Sequence, residues 1–285
     1  MKNRYHEKDD PQINGENGNN DTLNRHNPFE RIEIRWLLLL LIITQFGLIA
    51  FVEGPTGIPI EGYISQLILI AWALIIIRKH DISMTQLMGK TPQNMNWLPI
   101  IGLTVTLLVY AIGAIAAVIY PIYTLNPDFA TKLLDAASKN SPIHTLILGV
   151  FIAPIVEEII FRGFLLNRIG TKWNIRTAII LSSLIFALGH SIFFIGAFVI
   201  GIVFCLLYIK TKTLLVPMSA HVLYNSIVWL GSLVSQETGG FSSEYWLQFL
   251  YQGLVAILIS SPIIFIIIIR WWPLNSTTLP YDSNR

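Results

Sequence analysis

Residues 153–166 read APIVEEIIFRGFLL, a run apolar enough to lie in a bilayer that nevertheless carries Glu157, Glu158 and Arg162. Outward from this stretch the chain is of the same apolar kind. Of its 285 residues, 53% are hydrophobic and only 13% charged, and a mean hydropathy of +0.60 lies outside the range of ordinary soluble domains. A helix needs about 20 mostly apolar residues to span the roughly 30 Å hydrocarbon core. Such runs occur near 36–53, 61–77, 97–120, 143–166, 177–191, 193–209, 214–234 and 247–271. The expected fold is therefore all-α, a polytopic membrane protein with about eight transmembrane helices. The fifth and sixth runs are the least sharply divided, since only Gly189 and Gly196 punctuate them.

Lys and Arg placement predicts the orientation, because cytoplasmic loops carry an excess of them. Arg25, Arg31 and Arg35 precede the first run. Arg78, Lys79 and Lys90 follow the second, Arg168, Lys172 and Arg176 the fourth, Lys210 and Lys212 the sixth, and Arg270 and Arg285 the eighth. The odd-numbered exits hold only Lys132 and Lys139. This alternation puts both termini in the cytoplasm. Residues 1–33, rich in Asn and Gly and poor in apolar side chains, are expected to form a disordered tail. No apolar segment with a cleavage site marks them as a signal peptide. Residues 34–273 then form the membrane domain and 274–285 a short cytoplasmic C-terminal tail. A formal charge of +2 with no further basic patch argues against a nucleic-acid partner. Cys205, the one cysteine, excludes an intramolecular disulfide and reads as a small packing residue.

Ionisable residues in the interiors of the expected spans are confined to three of them: Glu157, Glu158 and Arg162 in the fourth, His190 in the fifth and His221 in the seventh. A charge at the bilayer centre costs about 2.5–3.5 kcal/mol even on lenient scales, so such a group marks a functional site by default. Counting about 1.5 Å per residue from the basic ends puts these residues, with Asn225, in one layer near mid-membrane. Glu158 and Arg162 are four apart with the acid first, the favourable order for a pair on one helix face. Glu157 is turned about 100° away and can face the histidines. His221 and Asn225 are again four apart. Pro154 and Pro217 precede the two clusters, where a missing N–H is expected to kink the helix, free a carbonyl and admit water.

Two carboxylates, two imidazoles and an amide in a wet cavity suit hydrolysis. A carboxylate out of water holds a proton more tightly, as a general base should. Glu157 and His190 could activate water, while His221 and Asn225 donate to the oxyanion that forms as an amide carbonyl is attacked. Taken singly these residues have plainer readings. Glu158 with Arg162 could be a structural ion pair, a lone histidine such as His190 could be inter-helix glue, and Phe186 and Trp229 could be packing. A secondary transporter would also keep such groups at mid-membrane, although the charged pattern is not repeated in the other half of the chain. A binding protein without catalysis is the third reading.

The succession Glu157-Glu158-x-x-x-Arg162, Phe186-x-x-x-His190 and His221-x-x-x-Asn225 resembles the CPBP family of intramembrane proteases, which includes the CAAX prenyl endopeptidases and bacterial Abi-type bacteriocin-immunity proteins. The motif region covers about 143–234. The resemblance implies an intramembrane endopeptidase acting on a membrane-associated, lipidated protein or peptide near its C-terminus. Glu157 and His190 would activate water, and His221 and Asn225 would form the oxyanion site. It implies no cofactor in the glutamate mechanism, or, as in family members described as metalloproteases, a zinc ion on Glu157, Glu158, His190 and His221. The partners are then a peptide substrate and the lipid bilayer. The Asn-rich tail and compact loops point to a bacterial plasma membrane, where processing or bacteriocin immunity are the roles to expect.

Overall fold

The structure, a computed structural model, describes residues 27–44, 60–90, 93–138, 141–235 and 243–285. Among them it is all helical, with no strand. In chain order the helices are α1 Ile34–Ile42, α2 Ile60–Lys79, α3 Met84–Met88, α4 Leu98–Leu125, α5 Pro127–Ser138, α6 Pro142–Lys172, α7 Ile175–Leu188, α8 Phe194–Thr211, α9 Leu215–Ser235, α10 Ser243–Trp271 and α11 Pro280–Ser283. Five of these are long and apolar enough to cross a membrane: α2, α4, α6, α8 together with the turn before it, and α10. Their outer faces expose large apolar side chains, among them Leu67 and Ile75 of α2 and Leu258, Phe265 and Ile266 of α10. In water such faces would drive aggregation, whereas in a bilayer they are solvated by lipid. The chain is a multi-pass integral membrane protein.

The fifth expected run, 177–191, takes a different form. α7 has 14 residues, about 21 Å of rise, which is short of the hydrocarbon core. It stops at Leu188, and the chain reverses through His190 and a 3-10 turn, Ser191–Phe193, whose first residue has φ +48°. The reversal therefore comes between the two glycines named from sequence, and it puts His190 on a turn. Of the first expected run, α1 supplies the beginning, and everything beyond Thr44 lies outside the described residues.

α6 begins with Pro142 in its first turn and runs through Pro154 to Lys172. Two stretches of it, Thr145–Ile152 and Glu158–Leu166, are π-helical, flanking the α-helical turn Ala153–Glu157. Single-turn π-bulges recur at functional sites, and here two wider stretches flank the turn that carries Glu157, the second of them holding Glu158 and Arg162. Around α6 pack α7, α8 and α9. The main core cluster is built from Phe161, Phe164 and Leu165 of α6, Ile179 and Phe186 of α7, and Cys205 and Tyr208 of α8. Cys205 is fully buried there, as a packing residue should be. α4 and α10 form the most extensive helix pair. They touch where Gly113 meets Gly253: a Cβ on Gly113 would lie 2.5 Å from the Gly253 carbonyl oxygen, so no larger residue fits without separating the helices.

The termini differ from the sequence expectation. Of the predicted tail, residues 1–26 lie outside the described residues, but 27–33 do not form a free coil. A 3-10 turn, Pro28–Arg31, capped by Asn27, buries Phe29 completely, its ring edge-on to Phe164 and Tyr281. The expected C-terminal tail is likewise docked. Tyr281 is buried, its hydroxyl accepts from the Ser83 amide, and the Asn27 side-chain amide donates to both oxygens of Asp282. Aromatic burial at 29 and 281 supplies the apolar surface that the polar composition around them conceals. Asn167 of α6 joins this cap to the charged stretch: its amide donates to the carbonyls of Arg162 and Gly163, and its oxygen accepts from the Tyr281 amide.

Candidate active site

Glu158 and Arg162 meet as their spacing predicts. Both are fully buried, and the guanidinium Nη1 donates to Glu158 Oε1 at 2.9 Å. Arg162 Nη2 reaches across to the Gly201 carbonyl of α8 at 3.3 Å. Gly201 also lets α8 lie close on α7, because a Cβ there would come within 2.9 Å of the Ser183 Cβ. The guanidinium lies between two aromatic rings, 4.5 Å from the centre of Phe186 and 5.5 Å from that of Phe204. A cation out of water is costly, and ring faces, a carboxylate and a carbonyl together replace much of its hydration.

His221 of α9 joins the pair. Its Nδ1 is 2.9 Å from Glu158 Oε1, and its Nε2 faces Glu157 Oε2 at 3.8 Å, beyond hydrogen-bond reach. Glu158 Oε1 is thus shared between the guanidinium and the imidazole of His221. The two neighbouring carboxylates therefore stand in different situations. Glu158 has a side chain with no exposure and two donors, while Glu157 is 15% exposed and hydrogen-bonded to neither.

The structure brings Glu157, Glu158, Arg162 and His221 into one contact network. His190 reaches it through Phe186, whose ring centre is 4.4 Å from that of His190 and 6.0 Å from that of His221. His190 Nδ1 is 2.7 Å from the Phe186 carbonyl. A carbonyl only accepts, so Nδ1 carries the proton and Nε2 keeps its lone pair. Asn225 stands a turn further along α9 and does not touch His221's partners. Its Nδ2 donates to the Gly149 carbonyl on the far side of Pro154, at 2.7 Å. Pro217, expected to kink its helix, sits in the first turn of α9, where an N–H would have no intrahelical partner anyway, and it opens nothing.

Three participants were not legible as such in the sequence. Phe204 and the Gly201 carbonyl have no polar signal to announce them. Trp229 does: it lies four residues beyond Asn225 and its Nε1 donates to the Pro142 carbonyl at 2.9 Å, so His221, Asn225 and Trp229 form one line of polar contacts from α9 to α6.

Of the donors named for zinc, Glu157, Glu158 and His221 stand together, while His190 reaches them only through Phe186. Among the described residues no group of three or more His, Cys, Asp or Glu side chains stands close enough to hold a metal ion. Glu158 already meets a guanidinium and an imidazole, and His190 directs Nδ1 to a backbone oxygen. This arrangement does not fit the four-coordinate site that zinc requires.

Comparison with known proteins bears on the same residues. Residues 139–227 match the family described as type II CAAX prenyl endopeptidase, Rce1-like. The chain is 29% identical over 218 residues to the membrane-embedded CAAX protease MroQ of Staphylococcus aureus (strain USA300), covering 72% of this chain and 76% of that protein. It is 28% identical over 139 residues to an uncharacterized 24.3 kDa protein of Escherichia coli, 44% of this chain and 64% of that one. YdiL of Bacillus subtilis (strain 168), whose name proposes a membrane peptidase, is 34% identical over 85 residues, 29% of this chain and 35% of YdiL. No solved structure matches the chain. The segment that carries Glu157, Glu158, Arg162, His190, His221 and Asn225 is thus the part of the chain that is similar to the Rce1-like type II CAAX prenyl endopeptidases, and the wider likeness is to a membrane-embedded CAAX protease.

Proposed function

We propose that this protein hydrolyses a peptide bond in a membrane-associated, lipidated protein or peptide, using water activated by its own side chains. The family match supports a membrane protease. One observation carries the finer reading: of two adjacent carboxylates, Glu158 is locked in a buried ion pair while Glu157 is partly open and hydrogen-bonded to neither Arg162 nor His221. A base must be able to take a proton, and Glu157 is the one of the two left able to do so.

In this mechanism Glu157 removes a proton from water with help from the free Nε2 of His190, and the hydroxide oxygen bonds to the scissile carbonyl carbon. The carbonyl π electrons move to oxygen. The oxyanion is met by a donor N–H of His221 at Nε2 and by the Asn225 amide. When the tetrahedral species collapses, the C–N bond breaks and the leaving amine takes the proton held by Glu157. Glu158 and Arg162 act on His221, fixing its ring rather than touching the substrate.

The test compares new peptide termini in membranes of cells producing either the native protein or Glu157→Gln at matched levels. Termini confined to the native sample, near the C-terminus of a lipidated protein, are the expected result, and their sequences identify the substrate. Indistinguishable profiles from a well-sampled membrane proteome would overturn the reading. Dialysis of the purified protein against a chelator should leave cleavage intact, and a loss restored by zinc would put a metal at these donors instead.

A further inference from the structure

Pro154 leaves a gap in α6 that can be located by following the backbone. The Ala153 amide donates to the Leu148 carbonyl, five residues back. In that π-helical frame the donor to the Gly149 carbonyl is the amide of residue 154, and a proline has none. Unpaired backbone oxygens away from water are costly and rarely left so. The group that fills this place comes from another helix: Asn225 Nδ2, at 2.7 Å.

We infer that Pro154 is a positioning residue for Asn225. By withholding one N–H it makes the Gly149 carbonyl an anchor for the Asn225 amide, and one N–H of that amide then fixes the direction of the other. The sequence spacing agrees with such a division of labour. Pro154 lies three residues before Glu157, so the residue that frees the anchor and the base belong to the same short turn, Ala153–Glu157. The anchor does not depend on the small size of residue 149, since a Cβ there would approach only the Thr145 methyl, at 3.7 Å. The kinetic half of the inference rests on the endopeptidase reading, with Asn225 donating its second N–H to the oxyanion. The pairing of Pro154 with Asn225 does not.

The experiment is a double-mutant cycle on the full-length protein in detergent, with Pro154→Ala, Asn225→Ala and the double variant, read as thermal midpoint and as kcat and KM for cleavage. Alanine is favoured in a helix, so Pro154→Ala should fold. Asn225→Ala should lower the midpoint by several degrees in the native background and hardly at all beside Pro154→Ala, whose new N–H serves the Gly149 carbonyl. Equal losses in the two backgrounds would overturn the pairing. In kinetics, Asn225→Ala should cost about 10²–10³-fold in kcat. Pro154→Ala should lower kcat by a smaller factor with KM unchanged, and the double variant should lose less than the product of the two. Native kcat in folded Pro154→Ala would overturn the positioning role. Absence of cleavage by the native protein would sink the endopeptidase reading while the thermal cycle still decided the pairing.

Discussion

Two helix seams in this protein are built from opposite chemistry. α4 and α10 meet through apolar side chains and a glycine crossing at Gly113 and Gly253, without a charged residue at the crossing. α6 and α9 meet through a line of polar contacts: His221 to Glu158, Asn225 to the Gly149 carbonyl and Trp229 to the Pro142 carbonyl. In lipid there is no hydrophobic drive to bring helices together, so a seam must rely on close packing or on hydrogen bonds. The first solution holds helices and does nothing else. The second leaves polar groups among apolar helices, each needing a partner, and one of them, Glu157, is hydrogen-bonded to neither Arg162 nor His221. Stability and activity should therefore respond separately when the two seams are altered.

The sharpest separation is expected at Glu157. Its replacement by Gln should reduce cleavage by about 10²–10⁴-fold, the range of a lost general base, and leave the thermal midpoint unchanged, because neither Arg162 nor His221 hydrogen-bonds to this carboxylate. Arg162→Met should do the reverse first. It leaves Glu158 buried and uncompensated, a loss of about 3–5 kcal/mol, seen as a collapse in folded yield. Adding Glu158→Leu should restore much of that yield without restoring cleavage, since His221 would then lack its anchor. In the apolar seam, Gly113→Leu should cost about 1–3 kcal/mol by overpacking and lower the midpoint, while kcat per folded molecule stays within twofold or so of native. If it abolished kcat in folded protein, the two seams would not be independent. The smallest effect is expected from Trp229→Phe, which keeps the ring but loses one hydrogen bond, about 1 kcal/mol. A midpoint shift too small to resolve would show that this contact adds little to the α6–α9 seam.

Much of the candidate site could be read along the chain because its logic is local. Glu158 and Arg162 share a face by i,i+4 spacing and meet at 2.9 Å. Glu157, turned away, faces His221 at 3.8 Å. What spacing could not supply is which groups answer one another across helices. His221, expected to stand with Asn225, instead hydrogen-bonds Glu158, and Asn225 bonds a backbone oxygen in the π-helical stretch before Pro154. A change from i−4 to i−5 pairing leaves no mark in composition or periodicity. His190 read as part of a span, yet it sits on a turn with a left-handed residue beside it, because α7 stops short. The ends of the described chain were hidden for another reason. Phe29 and Tyr281 are single aromatics in polar surroundings, and only their contact with each other and with Phe164 turns them into core.

By itself the amino-acid sequence determined that this is an all-helical membrane protein with a charged layer in its apolar interior, because hydropathy and helical spacing are properties of a few neighbouring residues and need no fold to express them. Which helices face lipid was decided only in three dimensions. α8 and α10 are similarly apolar, with mean hydropathies of 2.9 and 2.5 over their most apolar stretches, but 67% of the first stretch is buried against 17% of the second. The tertiary structure also decided that one carboxylate of an adjacent pair is locked and the other open. That difference depends on Arg162, His221 and Gly201, which arrive from three separate helices, and no local pattern records where distant segments of a chain will meet.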